Sequence, residues 1–228
     1  MTAITVGIVM PASNTTLEAE LPAWFPVPVR LATARITRPG MLRAEDLPAE
    51  RERVAAAGAA LAEAKPDVVV MGCTAAGFLA GPDGDRDFCS DLERATGAPT
   101  VSAAGSMVAA LRGERARALS ILSPYGRQVN DALRAFLEQA GFSISAFEGF
   151  EVAGVKELLA IDEGRVAEKA RAATAVPSDA VFVACSQLPT HGVLGALSRD
   201  AGRPAWSSVK AASWNACAAL GLTLRKEP

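Results

Sequence analysis

Short, wholly apolar runs alternate along this chain with longer stretches in which apolar residues recur every three or four positions. That alternation predicts βα units feeding a mainly parallel sheet. The first run, about Thr5 to Met10, predicts a strand. A helix is expected over Glu50 to Ala64, where Val54, Ala57 and Leu61 share one face. Lys65-Pro66-Asp67 stops it, and Val68 to Met71 begins a buried strand. Another strand is expected at Thr100 to Ser102, with a helix from Ala103 to Leu111. After the polar break Arg112-Gly113-Glu114-Arg115 the alternation resumes. Strands are expected at Ala118 to Leu122, near Phe142 to Phe150 and at Ala180 to Ala184. Helices are expected at Gly126 to Ala140, Asp162 to Ala175 and Ser207 to Leu220, and Arg225 to Pro228 reads as a frayed tail.

The second half repeats landmarks of the first. Asp67-Val-Val-Val-Met-Gly-Cys73-Thr74 matches Asp179-Ala-Val-Phe-Val-Ala-Cys185-Ser186, with the cysteines 112 positions apart (185 − 73). Gly7-Ile-Val-Met-Pro11 matches Ser120-Ile-Leu-Ser-Pro124 at an offset of 113 (124 − 11). Two landmarks at nearly one offset predict an α/β protein of two pseudo-symmetric lobes, 1–112 and 113–206, with the last helix, 207–228, crossing back onto the first. Each lobe is expected to hold a mainly parallel four-stranded sheet flanked by helices, and to present a cysteine at a strand end facing a shared cleft.

Composition narrows the function classes. Half of the 228 residues are hydrophobic and 21% are charged, an ordinary globular profile. A net charge of −2 and a pI near 5.6 give no bias toward nucleic acid or an anionic membrane. There is no basic leader and no apolar stretch of membrane-spanning length, so the expected location is the cytoplasm. The four cysteines form no Cys-x-x-Cys pair, and the lone His191 does not complete a zinc set with them. No glycine-rich phosphate loop occurs. Neither a metal nor a nucleotide cofactor is therefore expected.

Cys73 and Cys185 are the leading chemical candidates. Each follows an apolar strand, where ligands gather in parallel α/β sheets, and a helix N-terminus there would favour a thiolate and bind a carboxylate. The plain alternative for each is a small buried core residue. Thr74 and Ala75, next to Cys73, enter a tight turn into a helix; Ser186 and Thr190 are placed to bind a carboxylate or cap a helix after Cys185. Pro11-Ala12-Ser13-Asn14-Thr15-Thr16 reads either as a helix start, with Thr15 and Glu18 at capping-box spacing, or as a carboxylate cradle using Asn14. Tyr125, the only tyrosine, takes the equivalent strand end of the second lobe. Cys89 and Cys217 read as structural, His191 as a less favoured general base, and Asp85, Arg86, Asp87 and Asp91 as a solvated helix face or loop.

Met10-Pro-Ala-Ser-Asn-Thr-Thr-Leu-Glu18, Gly72-Cys-Thr-Ala-Ala-Gly77, Ser123-Pro-Tyr125 and Ala184-Cys-Ser-Gln-Leu-Pro-Thr190 together resemble the aspartate/glutamate racemase superfamily. Within it the chain is most similar to maleate cis–trans isomerases and arylmalonate decarboxylases, over essentially its whole length. The resemblance implies an active site between two lobes, no cofactor, a small carboxylate substrate and a homo-oligomer, a dimer. It implies catalysis by Cys73 and Cys185, with substrate held near Pro11, Asn14, Thr74, Ala75, Tyr125 and Ser186. Isomerases of this kind are expected to supply an asparagine after the strand around Phe150; here Glu151 to Asp162 contains none, and looks more like the corresponding stretch of the decarboxylases. Those decarboxylases carry glycine where this chain has Cys73. The expected activity is maleate isomerisation, with arylmalonate-type decarboxylation, amino-acid racemisation and non-catalytic binding of a small acid as alternatives.

Overall fold

The computed structural model describes residues 3–225, so the expected tail lies, past Arg225, outside the described residues. The first lobe runs β1 (Ile4–Pro11), α1 (Thr16–Trp24), β2 (Val29–Ile36), α2 (Leu47–Ala62), β3 (Val68–Met71), α3 (Thr74–Thr96), β4 (Thr100–Ser102) and α4 (Ala103–Gly113). The second runs β5 (Ala118–Ser123), α5 (Arg127–Gln139), β6 (Ser143–Gly149), α6 (Val155–Leu159), α7 (Glu163–Thr174), β7 (Ala180–Val183), α8 (Leu194–Ala201), β8 (Ala205–Ser207) and α9 (Ser208–Ala219). The α/β expectation holds, with two all-parallel four-stranded sheets. Their strand orders are β2-β1-β3-β4 and β6-β5-β7-β8, so the same topology occurs twice.

The central strands read as continuous apolar runs because helices cover both faces of each sheet. Every residue of β3 and β7 is buried. The acidic residue opening each repeat pins its neighbour strand. Asp67 Oδ2 accepts from the Thr5 N–H at 2.7 Å, and Asp179 Oδ2 from the Arg117 and Ala118 N–H groups at 2.7 and 2.8 Å. These contacts set the parallel register in which Val6 faces Val68 and Leu119 faces Ala180.

The elements absent from the sequence reading are those whose pattern is weak. In β2 five of eight residues are half-buried, as befits an edge strand, and α6, α8 and β8 are short. Helix α3 bends at Gly81, whose φ of 73° and the following Pro82 break the helical ladder. Helices α4 and α9, each following the fourth strand of its sheet, pack against one another, and both bury small residues, Ala103 and Ala104 on one and Ala211 and Ala212 on the other. Helix α9 also lies on α1, and Asn215 Nδ2 on α9 donates to Ser106 Oγ on α4 at 3.1 Å. The Arg225 N–H reaches the Trp24 carbonyl at 2.9 Å, so Arg225 is tied down rather than frayed.

Candidate active site

In each sheet the strand order reverses between its first and third strands, and ligands in open α/β sheets settle outside the carboxyl ends at such a point. The first lobe brings Pro11 and Asn14 from the end of β1, and Cys73, Thr74 and Ala75 from the end of β3. The second brings Tyr125 from the end of β5, and Cys185 and Ser186 from the end of β7. All eight line one cavity of about 290 Å³, sized for a small acid.

Cys73 is the N-cap of α3, so the first N–H groups of that helix, at Thr74 and Ala75, open onto the cavity. The Thr74 hydroxyl is buried beside them with no hydrogen-bond partner. Asn14 Oδ1 accepts from the Leu17 N–H at 3.1 Å, which fixes the amide orientation and caps α1. Asn14 Nδ2 then gives one hydrogen to Ser186 Oγ at 2.9 Å and retains one for a ligand. Asn14 is thus both cradle and cap. Thr15 makes no side-chain cap, and Glu18 pairs with Arg35 instead, so the Thr15/Glu18 capping box does not form.

The second thiol has a different setting from the first. No helix starts at Cys185; turns lead on to Pro189, and α8 begins only at Leu194. Pro189 disfavours helical backbone at Leu188, which breaks the symmetry here. Cys185 itself takes a φ of 105°, unusual for a residue with a Cβ. Its N–H donates to Ser208 Oγ at 3.0 Å, while its sulfur meets the backbone N–H groups of Gln187 and Leu188 and the Tyr125 hydroxyl. Burial pushes the Cys185 thiol up, outweighing these donors, and the nearby Cys73 sulfur pushes the same way. Tyr125 is buried against Phe78, edge to face at 5.5 Å, and is raised well above the usual phenol range by burial and then by Cys185. Its loop is held by Asn130 Nδ2, which donates to the Tyr125 carbonyl at 2.7 Å.

Ser186 takes a structural part beside its place in the cavity wall. Its hydroxyl donates to the Gly72 carbonyl at 2.6 Å and accepts from Asn14, leaving no proton for a ligand. Thr190 caps no helix; its N–H and hydroxyl meet Glu20 of α1 at 2.6 and 3.0 Å. His191 lies outside the cavity, its N–H on Glu20 at 3.1 Å and its ring edge-on to Trp24 at 4.9 Å. Cys89 and Cys217 also lie outside, their thiols pushed by burial to about 12 and about 11. Asp87 is exposed and paired with Arg51, but Asp85 is buried, against expectation. The bend at Gly81 turns it inward, where it accepts from Ser102 Oγ at 2.6 Å.

Two features of the cavity were not read from sequence. Arg38, in the loop after β2, donates from Nη2 to Cys73 Sγ at 3.5 Å and pairs through Nη1 with buried Glu50. Val152, Ala153, Val155 and Leu158, from the segment lacking the asparagine, make an apolar wall. A local run of hydrophobic residues signals that wall; nothing in the spacing links Arg38 to Cys73. Among the described residues no cluster of three or more His, Cys, Asp or Glu is arranged to hold a metal, and no helix is long and apolar enough to cross a membrane.

A family model described as arylmalonate decarboxylase matches residues 6–228. The chain is 29% identical to a maleate isomerase of Nocardia farcinica, over 95% of this chain and 90% of that protein. It is 26% identical to an arylmalonate decarboxylase of Bordetella bronchiseptica, over 71% of this chain and 68% of that one. Among solved structures it resembles a cysteine-to-serine mutant of the Nocardia farcinica maleate cis–trans isomerase with a covalently bound succinylcysteine intermediate. That likeness has a TM-score of 0.88 at 28% identity, covering 97% of this chain and 94% of the other.

Proposed function

The chain belongs to the arylmalonate decarboxylase family, and from that premise we propose that it is a cofactor-independent cis–trans isomerase of maleate or a close analogue, with Cys73 as nucleophile and Cys185 as acid. The observation that carries this reading is a pair of thiols lining one small cavity, with an unpartnered hydroxyl and the N-terminus of α3 beside them. The names of its relatives support the reaction class.

One substrate carboxylate sits on the Thr74 and Ala75 N–H groups, the Thr74 hydroxyl and the remaining Asn14 amide hydrogen. Pro11 shapes the wall beside it. The Cys73 thiolate adds to one alkene carbon as the π electrons move to the other, which takes the proton of Cys185. The products of this step are a succinyl thioether on Cys73 and a thiolate at Cys185. Rotation about the new single bond follows. Cys185 then removes the proton, the electron pair re-forms the double bond, and the C–S bond breaks to release fumarate and the Cys73 thiolate. Burial keeps Cys185 protonated at neutral pH, as an acid must be, and the Tyr125 hydroxyl stabilises its transient thiolate. We further propose, from the family resemblance, that the protein is a cytoplasmic homodimer.

The apolar wall favours a second reading, decarboxylation of an α-substituted malonate, in which Cys185 alone delivers a proton. Proton NMR of the protein with maleate in deuterated buffer separates the two. Fumarate should form at a protein-dependent rate and Cys73→Ser should abolish it. Unchanged maleate, with carbon dioxide released from phenylmalonate, would replace the first reading by the second.

A further inference from the structure

Arg38 is held where a free surface arginine would not be. Its side chain is 12% exposed, and Glu50, its partner from the first turn of α2, is fully buried. The second Glu50 oxygen faces Arg53 Nη1 at 3.5 Å. Arg38 Nε is buried with no hydrogen-bond partner. Burying an ion pair gains little stability, because desolvation offsets the attraction, and an unpaired donor adds to the cost. The gain lies on the other edge of the guanidinium. With Nη1 fixed on Glu50, Nη2 is aimed at Cys73 Sγ, 3.5 Å away.

The other ionisable groups that face that sulfur are Tyr125 and Cys185 from the second lobe, and Arg43 and Arg127 also line the cavity. Arg43 is 70% exposed and leans toward Glu45. Of these charges only Arg38 makes a hydrogen bond to the Cys73 sulfur.

We infer that Arg38 is a catalytic residue, anchored by Glu50, whose guanidinium hydrogen-bonds and orients the Cys73 sulfur for addition and receives it again when the C–S bond breaks. This role rests on the reading of Cys73 as nucleophile. A charge-assisted hydrogen bond from a fixed guanidinium directs the attacking sulfur and stabilises it as a leaving group. The same charge draws an anionic substrate toward the sulfur in a site that lacks the expected asparagine.

The test reads Cys73 directly. On a Cys185→Ser background, alkylation of Cys73 at pH 7.5 is followed by peptide mass spectrometry with neutral iodoacetamide and with anionic iodoacetate. Arg38→Gln should slow iodoacetamide about tenfold, the reach of one charge-assisted hydrogen bond, and slow iodoacetate further. Arg38→Lys should restore much of both rates, which a purely structural role would not require. If Arg38→Gln alone leaves Glu50 too poorly paired to fold, the Arg38→Gln/Glu50→Gln double variant removes both charges and should show the same slowing. Unchanged rates, or an unchanged ratio between the two reagents, in whichever variant folds would overturn the inference. Maleate turnover is measured separately with Cys185 intact. A wild-type protein inert toward maleate but with Arg38-dependent alkylation would sink maleate as the substrate and leave standing the control of the Cys73 sulfur by Arg38.

Discussion

Cys73 and Cys185 are the same residue type in the same sequence frame, yet their surroundings differ in ways that suit different parts in the proposed reaction. Cys73 meets a helix N-terminus and a guanidinium; Cys185 meets burial, two backbone N–H groups and a phenol. Because burial raises Cys185, it stays protonated through neutral pH, and turnover should fall only as pH rises above the ordinary thiol range. The Tyr125 hydroxyl opposes that rise, so removing it must move the limit further up. Tyr125→Phe should therefore shift the basic limb of the kcat profile to higher pH. It should also lower kcat about 100-fold, since the thiolate formed in the reaction loses its donor. A pH series of fumarate formation checks both parts. Both thiols, Asn14 and Tyr125 were legible because each sits at a strand end in a repeated frame. Arg38 was not, because only the return of β2 to the sheet brings it next to a cysteine 35 residues later.

Among the elements, α3 shows why a helix face read from sequence can mislead. The non-helical Gly81 separates two helical segments, so the faces before and after it are unrelated and Asp85 turns into the lobe. There it lies against Gly77, where an added Cβ would fall 2.2 Å from Asp85 Oδ1, and near the start of α4. Its carboxyl is raised by burial, against the lowering effect of Ser102 and the Gly105 N–H, and Oδ1 has no hydrogen-bond partner. A folded value above the unfolded one means that this group's stabilisation is complete below the unfolded carboxyl value. It is lost as pH rises through the folded value. Asp85→Asn, neutral throughout, should gain on wild type as pH increases. Melting temperatures at pH 5 and pH 8 should show a difference that shifts in favour of the variant at the higher pH. A constant difference would mean that Asp85 is not the titrating group.

At the scale of the molecule, the cavity exists because two lobes are locked in one relative position. Ser186 Oγ joins Gly72 and Asn14 across the cleft, Gln187 Oε1 accepts from the Thr15 N–H at 2.9 Å, and Thr190 meets Glu20. Several of these contacts use residues next to the two cavity-lining cysteines, so docking of the lobes also assembles the cavity. Ser186→Ala leaves the buried Gly72 carbonyl and one Asn14 hydrogen unpaired. That should cost about 1–3 kcal/mol in urea unfolding and, by freeing Asn14, raise KM for maleate. A stability loss with KM unchanged would separate the tie from the cradle.

The sequence by itself determined the βα alternation, the duplicated lobe, the buried central strands and the strand-end residues of the cavity. These follow from local hydrophobic pattern and from a repeat that spans each sheet. The tertiary structure alone decided which groups meet across the repeat. It set Arg38 and Glu50 behind Cys73, turned Asp85 inward and committed the Ser186 proton to Gly72. Those outcomes depend on a strand crossover, a bend and the docking of two lobes. Each joins residues whose separation along the chain leaves no periodic trace.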